Sequence, residues 1–362
     1  MNLAQLWEQI RSDTRSTYRL YSREIEARRV PGAAPHRHFL QVAKQFFWAI
    51  LDKLTPARRV LLLAALVLLI FPEARTINNS GQGHLEFQFE TRLAGGLLLF
   101  GLLLLELTDR VVMKRDLEIA KEIQAWLLPG RPPQIPGVQI AFATRPANTV
   151  AGDYYDVFPR RCGDSDGNQA GNSFLLAVAD VAGKSVPAAM LMATIQASLR
   201  TLCTTPGSLA DLAARMNRYA CTNSQNGRRF TTAFIAEYDP ASRMLVYVNA
   251  GHNPPIVLRG SGAMETLEKG GLPLGVFAAS AYESGVLTLD PGDLLAAFTD
   301  GVVEAENAAA QEYGDDRFRA LLRAHSAAPP DLILSRILFD IHSFAGSAPQ
   351  HDDVTLLLVK AV

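Results

Sequence analysis

The chain has 362 residues, of which 48% are hydrophobic and 20% are charged, and its formal net charge at pH 7 is -1. This composition is typical of a folded protein with one large core and additional segments, and it excludes an intrinsically disordered chain. The near-neutral charge lacks the basic excess of nucleic-acid-binding domains, so we expect no nucleic-acid partner. The three cysteines have no C-x-x-C spacing, which argues against a disulfide framework and against a zinc site.

Residues 1–55 are predicted to form an N-terminal helical region. A polar, arginine-rich stretch at 5–29 has helical periodicity, and a second helical stretch at 39–54 follows a break around Pro31 and Pro35. The chain start lacks the charged n-region, apolar h-region and cleavage pattern of a secretory leader, so no signal peptide is predicted.

Residues 56–107 contain two apolar runs, at 60–71 and 93–105. Each run is shorter than the roughly 20 residues of a spanning helix, but flanking arginines and lysines can snorkel and lengthen the effective span. We therefore predict a two-helix transmembrane hairpin in the inner (cytoplasmic) membrane. The basic flanks place the N-terminus and the C-terminal domain in the cytoplasm. A buried helical hairpin or an interfacial pair of helices is the alternative reading.

Residues 108–131 are predicted to form a linker helix. Apolar residues recur at helical spacing while charges of alternating sign fill the other face, and a proline-rich stretch ends the pattern at 129–136. The pattern suits a homodimeric coiled coil or docking onto the next domain, and an ordinary connecting helix fits it equally well.

Residues 132–362 are predicted to form an α+β domain. Strand-like segments and helices alternate in groups: strands near 138–144, 157–158 and 175–179, helices at 187–202 and 208–222, strands at 231–238, 244–250, 256–258, 281–289 and 294–298, helices at 317–325 and 331–343, and a strand at 354–359. This order indicates antiparallel sheet with helices covering its outer faces.

Acidic residues stand at the ends of these strands. Asp180 follows the run 175–179, Asp300 follows 294–298, and Asp352 and Asp353 precede 354–359. We expect these carboxylates to point into one cleft, where their mutual repulsion calls for a positive counter-charge. In proteins, this counter-charge is usually a hard divalent cation that binds oxygen ligands.

Six motifs in chain order resemble those of the PPM family of metal-dependent serine/threonine phosphatases, and more closely its bacterial SpoIIE/RsbU branch. They are EIQAWLLP (122–129), GDYYD (152–156), DVAGKSVPAA (180–189), NAGHNPP (249–255), TDG (299–301) and DDVT (352–355). The resemblance implies a sandwich of two antiparallel β-sheets flanked by helix pairs, with two Mg²⁺ or Mn²⁺ ions at one end.

The resemblance also implies roles for individual residues. Asp180 would bridge the two ions, Asp153 and the backbone carbonyl of Val181 would complete the ligands of one, and Asp300 and Asp352 would serve the other. Asp353 is expected to orient Asp352 or a bound water rather than bind metal directly. Water held between two such ions loses a proton readily and attacks the phosphoryl group in line.

Four further residues receive hypotheses with open alternatives. Asp156 is read either as a support for the metal ligands or as a turn-stabilising residue. Gly183 and Lys184 precede a helix N-terminus, whose free N–H groups suit an anionic substrate; Lys184 either holds phosphate or is a solvated turn lysine. His252 is interpreted as a structural hydrogen-bonder of its turn in preference to a proton donor. Ser185 departs from the family pattern, which commonly has glycine there.

The function predicted from these features is a membrane-tethered phosphatase acting on phosphoserine or phosphothreonine of a regulatory protein, of the anti-sigma-factor-antagonist type. A catalytically weak signalling scaffold and a small-molecule phosphohydrolase are the alternatives. We further hypothesise that dimerisation or a twist of the linker helix positions the loop that carries Asp153.

Overall fold

The computed structural model describes residues 47–48, 51–70, 91–160, 173–223 and 229–362. The chain divides into two compact units, residues 1–113 and 114–362. Most of the predicted N-terminal region, the segment that joins the two apolar runs and residues 161–172 lie outside the described residues.

The first unit contains helix α1 (Pro56–Ile70) and the start of helix α2 (Thr91–Leu127). The two helices pack closely at Gly95. A Cβ added there would lie only 2.9 Å from the carbonyl oxygen of Ala65. Arg58 pairs with Asp109 at 2.6 Å. Within the described ranges, no helix is both long enough and apolar enough for a membrane crossing. Spanning by the hairpin predicted at 56–107 therefore stays a prediction.

The second unit is built on two β-sheets. Its strands are β1 (Val138–Arg145), β2 (Tyr154–Arg160), β3 (Ser173–Val181), β4 (Thr231–Asp239), β5 (Met244–Ala250), β6 (Ile256–Leu258), β7 (Met264–Thr266), β8 (Gly270–Gly271), β9 (Gly285–Thr288), β10 (Leu294–Phe298) and β11 (Val354–Ala361). The first sheet has the order β1-β11-β10-β6-β7, and the second has the order β2-β3-β4-β5-β8 with β9 also on β5. All pairings are antiparallel except the two-residue parallel contact of β5 with β8.

Helix pairs cover the outer faces of the sheets. Helices α3 (Val186–Leu202) and α4 (Leu209–Asn223) pack on the second sheet, and α5 (Asp315–His325) and α6 (Pro330–Ala345) pack on the first. Strand β11 shows how the layers form, because its alternating side chains enter different cores. Leu356 and Leu358 lie with the α5 and α6 cluster, whereas Leu357 and Val359 lie in the cluster between the sheets. The predicted α+β sandwich flanked by helix pairs is confirmed.

Three local expectations were wrong. The strand expected near 157–158 begins earlier, at Tyr154, because Tyr154 pairs with Ala179 on β3. The strand expected at 281–289 shortens to β9. The linker helix is the last part of the continuous helix α2, and it ends at Leu127 rather than near residue 131, shortly before the prolines that cannot continue a helix.

Candidate active site

Four aspartates meet because of how the strands are paired. In the second sheet, Asp153 lies just before β2 and Asp180 lies near the end of β3, and these two strands are antiparallel neighbours. In the first sheet, Asp300 follows β10 and Asp352 precedes β11, which are also antiparallel neighbours with Phe298 opposite Leu356. Each sheet therefore brings one strand start next to one strand end, and each contributes two acids to the same end of the sandwich.

The electrostatics of these acids reflect their closeness. Burial raises the pKa of Asp180 to about 7, and repulsion from Asp300 and Asp352 adds to the shift. Burial also raises the pKa of Asp153 well above its usual value, with repulsion from Asp180 as the next cause. Because the acids resist ionisation together, the cluster favours the binding of positive charge.

Two acids that follow strand β10 of the first sheet, Asp300 and Glu304, also have raised pKa values. Burial raises the pKa of Asp300, and repulsion from Asp352 adds to the shift. Burial raises the pKa of Glu304, whose neighbours include Asp300. Glu304 was not singled out in the sequence, because it stands three residues beyond the TDG motif in a segment without strand pattern.

Two glycines, Gly152 and Gly301, allow backbone segments to approach each other closely beside the cluster. A Cβ added at Gly152 would lie 3.2 Å from the carbonyl oxygen of Val181, so this carbonyl adjoins the residue that precedes Asp153. A Cβ added at Gly301 would lie 2.1 Å from the carbonyl oxygen of Asp353, a distance that no side chain tolerates. Glycine at 301 therefore allows the 3-10 turn Asp300–Val302 to lie against the start of β11.

Thr299 connects the two halves of the site. Its hydroxyl donates a hydrogen bond to Oδ2 of Asp153 at 2.8 Å and accepts one from the backbone N–H of Thr355 at 3.0 Å. Thr299 is fully buried. A hydroxyl from the first sheet thus orients an acid of the second sheet, and this contact fixes one carboxylate oxygen of Asp153.

Asp353 supports the segment that precedes Asp153. Its Oδ1 accepts the N–H of Ala147 at 2.7 Å, and its Oδ2 accepts the N–H of Gly152 at 2.6 Å. The expectation that the Asp353 side chain orients Asp352 differs from this arrangement, in which the backbone N–H of Asp353 donates to Oδ1 of Asp352 at 2.9 Å. The difference arises because β1 and β11 are neighbours and bring the loop after β1 onto Asp353.

Asp156 lies on strand β2 and does not contact the acid cluster. Its carboxylate accepts two hydrogen bonds from Arg200 of α3, both at 2.8 Å, and one from the Tyr154 hydroxyl at 2.7 Å. The guanidinium of Arg200 also lies 3.9 Å from the ring centroid of Phe158. Asp156 also accepts the backbone N–H of Val157 at 2.9 Å, so it bonds to the local backbone as one reading expected, although within a strand rather than a turn. Its contacts with Arg200 add a role that neither reading included, which is to anchor α3 on the second sheet.

Lys184 reaches the acid cluster across the turn that precedes α3. Its Nζ lies 2.9 Å from Oδ2 of Asp352 and also donates to the carbonyl oxygen of His351. The turn contains Gly183 with φ 119° and Ser185 with φ 66°. A positive φ at a serine is strained, so this residue adopts a backbone conformation that glycine adopts more easily. Lys184 is a partner of Asp352 rather than a lysine surrounded only by solvent.

His252 lies behind the site in a turn between β5 and β6. Its Nδ1 is 3.0 Å from the hydroxyl of Thr232, and Thr232 stands opposite Asp180 in the second sheet. The Asn249 side chain bonds to both the N–H and the carbonyl of His252. Burial lowers the pKa of His252 to about 4. The imidazole is therefore neutral at physiological pH, which agrees with a structural role.

The donor set of the cluster fits a hard divalent cation. All four predicted ligand side chains are carboxylates, they repel one another, and Mg²⁺ and Mn²⁺ prefer oxygen donors. Among the described residues, no group of three His, Cys, Asp or Glu side chains stands in an arrangement that could hold a metal ion. One contact that a bound cation would displace is the ion pair between Lys184 and Asp352, at 2.9 Å.

A cleft of about 460 Å³ opens beside Lys184 and Asp352. Its lining includes apolar residues of α6, such as Leu338 and Ile341, and the acidic residue Glu312. The cleft lies next to the aspartates rather than over them, so it offers space for groups that flank a phosphate at the acid cluster.

The sequence analysis missed several residues that shape the site. Thr299, Thr355 and Gln124 all lie inside motifs that were recognised, but their roles depend on contacts with residues distant in the chain. Gln124 bonds to Ala151, which is 27 residues away. Position in a motif was the available signal, since neither periodicity nor charge distinguishes these side chains.

Comparison with known proteins gives concordant results. The family described as Stage II sporulation protein E (SpoIIE) matches residues 170–362. The chain is 29% identical over 278 residues to protein IcfG of Synechocystis, covering 68% of this chain and 42% of IcfG. It is 27% identical over 252 residues to phosphoserine phosphatase RsbU of Bacillus subtilis, covering 68% of this chain and 70% of RsbU. The chain thus spans less than half the length of IcfG.

A similar fold occurs in the SiaA-PP2C domain of Pseudomonas aeruginosa. The two superpose with a TM-score of 0.60 at 21% sequence identity, covering 70% of this chain and 99% of that domain. At this level of identity the likeness concerns the fold.

Proposed function

The chain belongs to the SpoIIE family of PP2C-type phosphatases, and from this membership we propose that it is a metal-dependent protein serine/threonine phosphatase. The observation that carries the proposal is the approach of Asp153, Asp180, Asp300 and Asp352 from two sheets into one partly buried, mutually repelling cluster. Such a cluster is costly for a folded protein unless cations bind to it.

The proposed cofactors are two Mn²⁺ or Mg²⁺ ions. Asp153, Asp180 and the carbonyl of Val181 would hold one ion, and Asp300 and Asp352 would hold the other together with Asp180. Bound divalent cations supply an activated water and neutralise phosphoryl oxygens. The protein's own contribution is orientation: the hydroxyl of Thr299 fixes Asp153, and the two N–H groups that bond to Asp353 fix the segment before it.

Lys184 is proposed to bind the phosphoryl group of the substrate. Its ammonium group already lies at the acid cluster, and half of its side chain is exposed, so it remains accessible to an incoming anion. The N–H groups at the start of α3 lie in the same turn and favour negative charge. His252 is buried and neutral, so it supports the turn and does not donate the proton to the leaving group.

The proposed substrate is a phosphoserine or phosphothreonine of a regulatory protein, such as an anti-sigma-factor antagonist. RsbU, with 27% identity, is named a phosphoserine phosphatase. The cleft of about 460 Å³ beside Asp352 supports a protein substrate, because its mixed lining of apolar residues such as Leu338 and charged residues such as Glu312 suits the varied side chains next to a phosphorylated residue.

The experiment is Mn²⁺-dependent hydrolysis by the full chain of a chromogenic phosphate ester and of phosphoserine and phosphothreonine peptides. Asp180→Ala and Asp300→Ala should each lower kcat/KM by at least about a hundredfold, since each loss of about 1.4 kcal/mol of transition-state stabilisation is tenfold in rate. Asp331→Ala, on the exposed N-terminal turn of α6, is the matched control.

Three outcomes separate the candidate functions. Metal-dependent hydrolysis of the peptides supports the protein phosphatase. Hydrolysis of small esters without turnover of any phosphopeptide would instead favour a small-molecule phosphohydrolase. Turnover that persists in Asp180→Ala or in excess chelator would refute the metal-dependent mechanism, and no turnover at all would favour a signalling scaffold.

Membrane attachment, at the inner membrane with both the N-terminus and the phosphatase domain in the cytoplasm, is a separate proposal. It is supported by apolar side chains that α1 and α2 leave exposed, including Val60, Ile70 and Leu97. A homodimer through the linker part of α2 is proposed on the same kind of observation, since Ile123 and Trp126 are also exposed. Fractionation of cells that express the full chain, with and without residues 56–107, tests the attachment.

A further inference from the structure

Gln124 is a buried polar side chain in the last turn of helix α2. It is 7% exposed, whereas its neighbours Ile123 and Trp126 are 49% and 79% exposed. A glutamine that a helix buries in preference to its apolar residues needs a polar partner, because a buried amide without hydrogen bonds is costly. The partner of Gln124 is the backbone of Ala151.

The amide of Gln124 bonds to both backbone groups of one residue. Its Nε2 donates to the carbonyl oxygen of Ala151 at 2.7 Å, and its Oε1 accepts the N–H of Ala151 at 2.9 Å. A primary amide is suited to this pairing because it donates and accepts at once, whereas a carboxylate only accepts and an alkyl chain does neither. The contact therefore depends on glutamine chemistry and not on size alone.

Ala151 is two residues before Asp153, and the intervening Gly152 is held by Asp353 at 2.6 Å. The segment that leads to Asp153 is thus fixed from two independent directions, by the start of β11 and by the end of α2. Ala151 and Asp153 are each 1% exposed, so neither contact is replaced easily by solvent. The position of the Asp153 carboxylate depends on both contacts.

We propose that Gln124 is a positioning residue that sets the divalent-cation affinity of the site by holding the backbone ahead of Asp153. The inference rests on the proposed function for the identity of the ligand and adds a residue of the linker helix to the apparatus that prepares the site. Gln124 does not touch metal or substrate; it acts through Ala151 and Gly152 on Asp153.

The test is a Mn²⁺ binding isotherm of the full chain, recorded from the free Mn²⁺ signal in electron paramagnetic resonance, for wild type and Gln124→Leu. We expect the Kd for Mn²⁺ to rise about tenfold to a hundredfold in the variant, as for residues that orient metal ligands. The rate at saturating Mn²⁺ should fall much less than the affinity, since the aspartates themselves are retained. Gln139→Leu, the same change at an exposed position of β1, should leave the isotherm unchanged.

Gln124→Glu is the second variant, because it keeps an acceptor for the N–H of Ala151 and loses the donor. It should give an affinity between those of wild type and Gln124→Leu, and circular dichroism checks that both variants fold. An unchanged Mn²⁺ Kd in folded Gln124→Leu would overturn the proposal, as would a loss of rate at saturating Mn²⁺ without a loss of affinity. If wild type binds Mn²⁺ but hydrolyses no ester, the proposed function fails while the isotherms still decide the role of Gln124.

Discussion

At the scale of single residues, the raised pKa of Asp180 has the clearest consequence for the stability of the protein. Its pKa of about 7 follows first from burial and then from three neighbouring acids, Asp300, Asp352 and Asp353. An unfolded chain gives the same group a pKa of about 3.9. The carboxyl therefore binds a proton more tightly in the folded state than in the unfolded state over the whole interval between these values.

This difference predicts how stability depends on pH. Because the folded-state pKa is raised, the contribution of Asp180 is fully present below about pH 4 and is lost as the pH rises towards 7. In the presence of a chelator, the melting temperature of the protein should therefore decrease as the pH rises across this interval, because the contribution of Asp180 is lost. Divalent cations replace the protons, so Mn²⁺ should raise the melting temperature more at pH 7.5 than at pH 5.5.

The measurement is thermal unfolding at a series of pH values with EDTA or with Mn²⁺. Asp180→Asn removes the titrating group. In chelator, the melting temperature of this variant should therefore depend less on pH than that of wild type, and Mn²⁺ should raise it less. If Asp180→Asn retained the full pH dependence of wild type, Asp180 would not be the group whose titration lowers the stability. Asp331→Asn, at an exposed position, serves as the comparison.

At the scale of the elements, the attachment of α3 to the second sheet depends on Asp156. This carboxylate is fully buried, and Arg200, on the last turn of α3, bonds to both of its oxygens. Leu199 and Met192 of the same helix are also buried against the sheet. The first turn of α3 follows Lys184 and Ser185, so the anchor at one end of the helix supports the turn at its other end.

Arg200→Met should destabilise the domain by about 2 kcal/mol, less than the 3–5 kcal/mol typical of a broken buried ion pair, because the Arg200 side chain is 42% exposed. The cost arises because Asp156 stays buried and loses its counter-ion. Urea unfolding of Arg200→Met, Asp156→Asn and the double variant measures it. The double variant should be less destabilised than the sum of the single variants, and strict additivity would show that the pair is not coupled.

The elements also show what a sequence can and cannot predict. The periodicity of apolar residues and the turn residues between segments predicted most helices and strands. They also placed Asp180, Asp300 and Asp352 correctly at strand ends. The partners of Asp156 and Asp353 were not predictable in the same way. Asp156 required the pairing of β2 with β3, and Asp353 required the pairing of β1 with β11, which joins residues about 200 positions apart in the chain.

At the scale of the whole molecule, the chain consists of two compact units with a boundary between Met113 and Lys114. Helix α2 runs from Thr91 to Leu127, so the boundary falls inside a continuous helix and Gln124 belongs to the second unit. The boundary expected from the sequence lies between residues 131 and 132. That boundary separates Gln124 from the residues it contacts.

Two truncations test which boundary matters. The fragment 114–362 should unfold cooperatively and bind Mn²⁺ as tightly as the full chain, because it keeps the contact of Gln124 with Ala151. The fragment 132–362 should bind Mn²⁺ more weakly, since it lacks that contact. Calorimetry and the Mn²⁺ isotherm provide the readouts, and equal affinity in the two fragments would contradict the expectation. Light scattering on both fragments and the full chain reports whether residues 1–131 also carry the homodimer.

Strand β11 has a consequence for how the protein is made. It is the central partner of β1 and β10, and Asp352 and Asp353 immediately precede it. A ribosome that stalls before residue 352 therefore leaves β1 and β10 without their shared neighbour, the acid cluster without Asp352, and the segment before Asp153 without its bonds to Asp353. Incomplete translation products are then catalytically silent, but their unpaired strand edges make them substrates for chaperones and proteases.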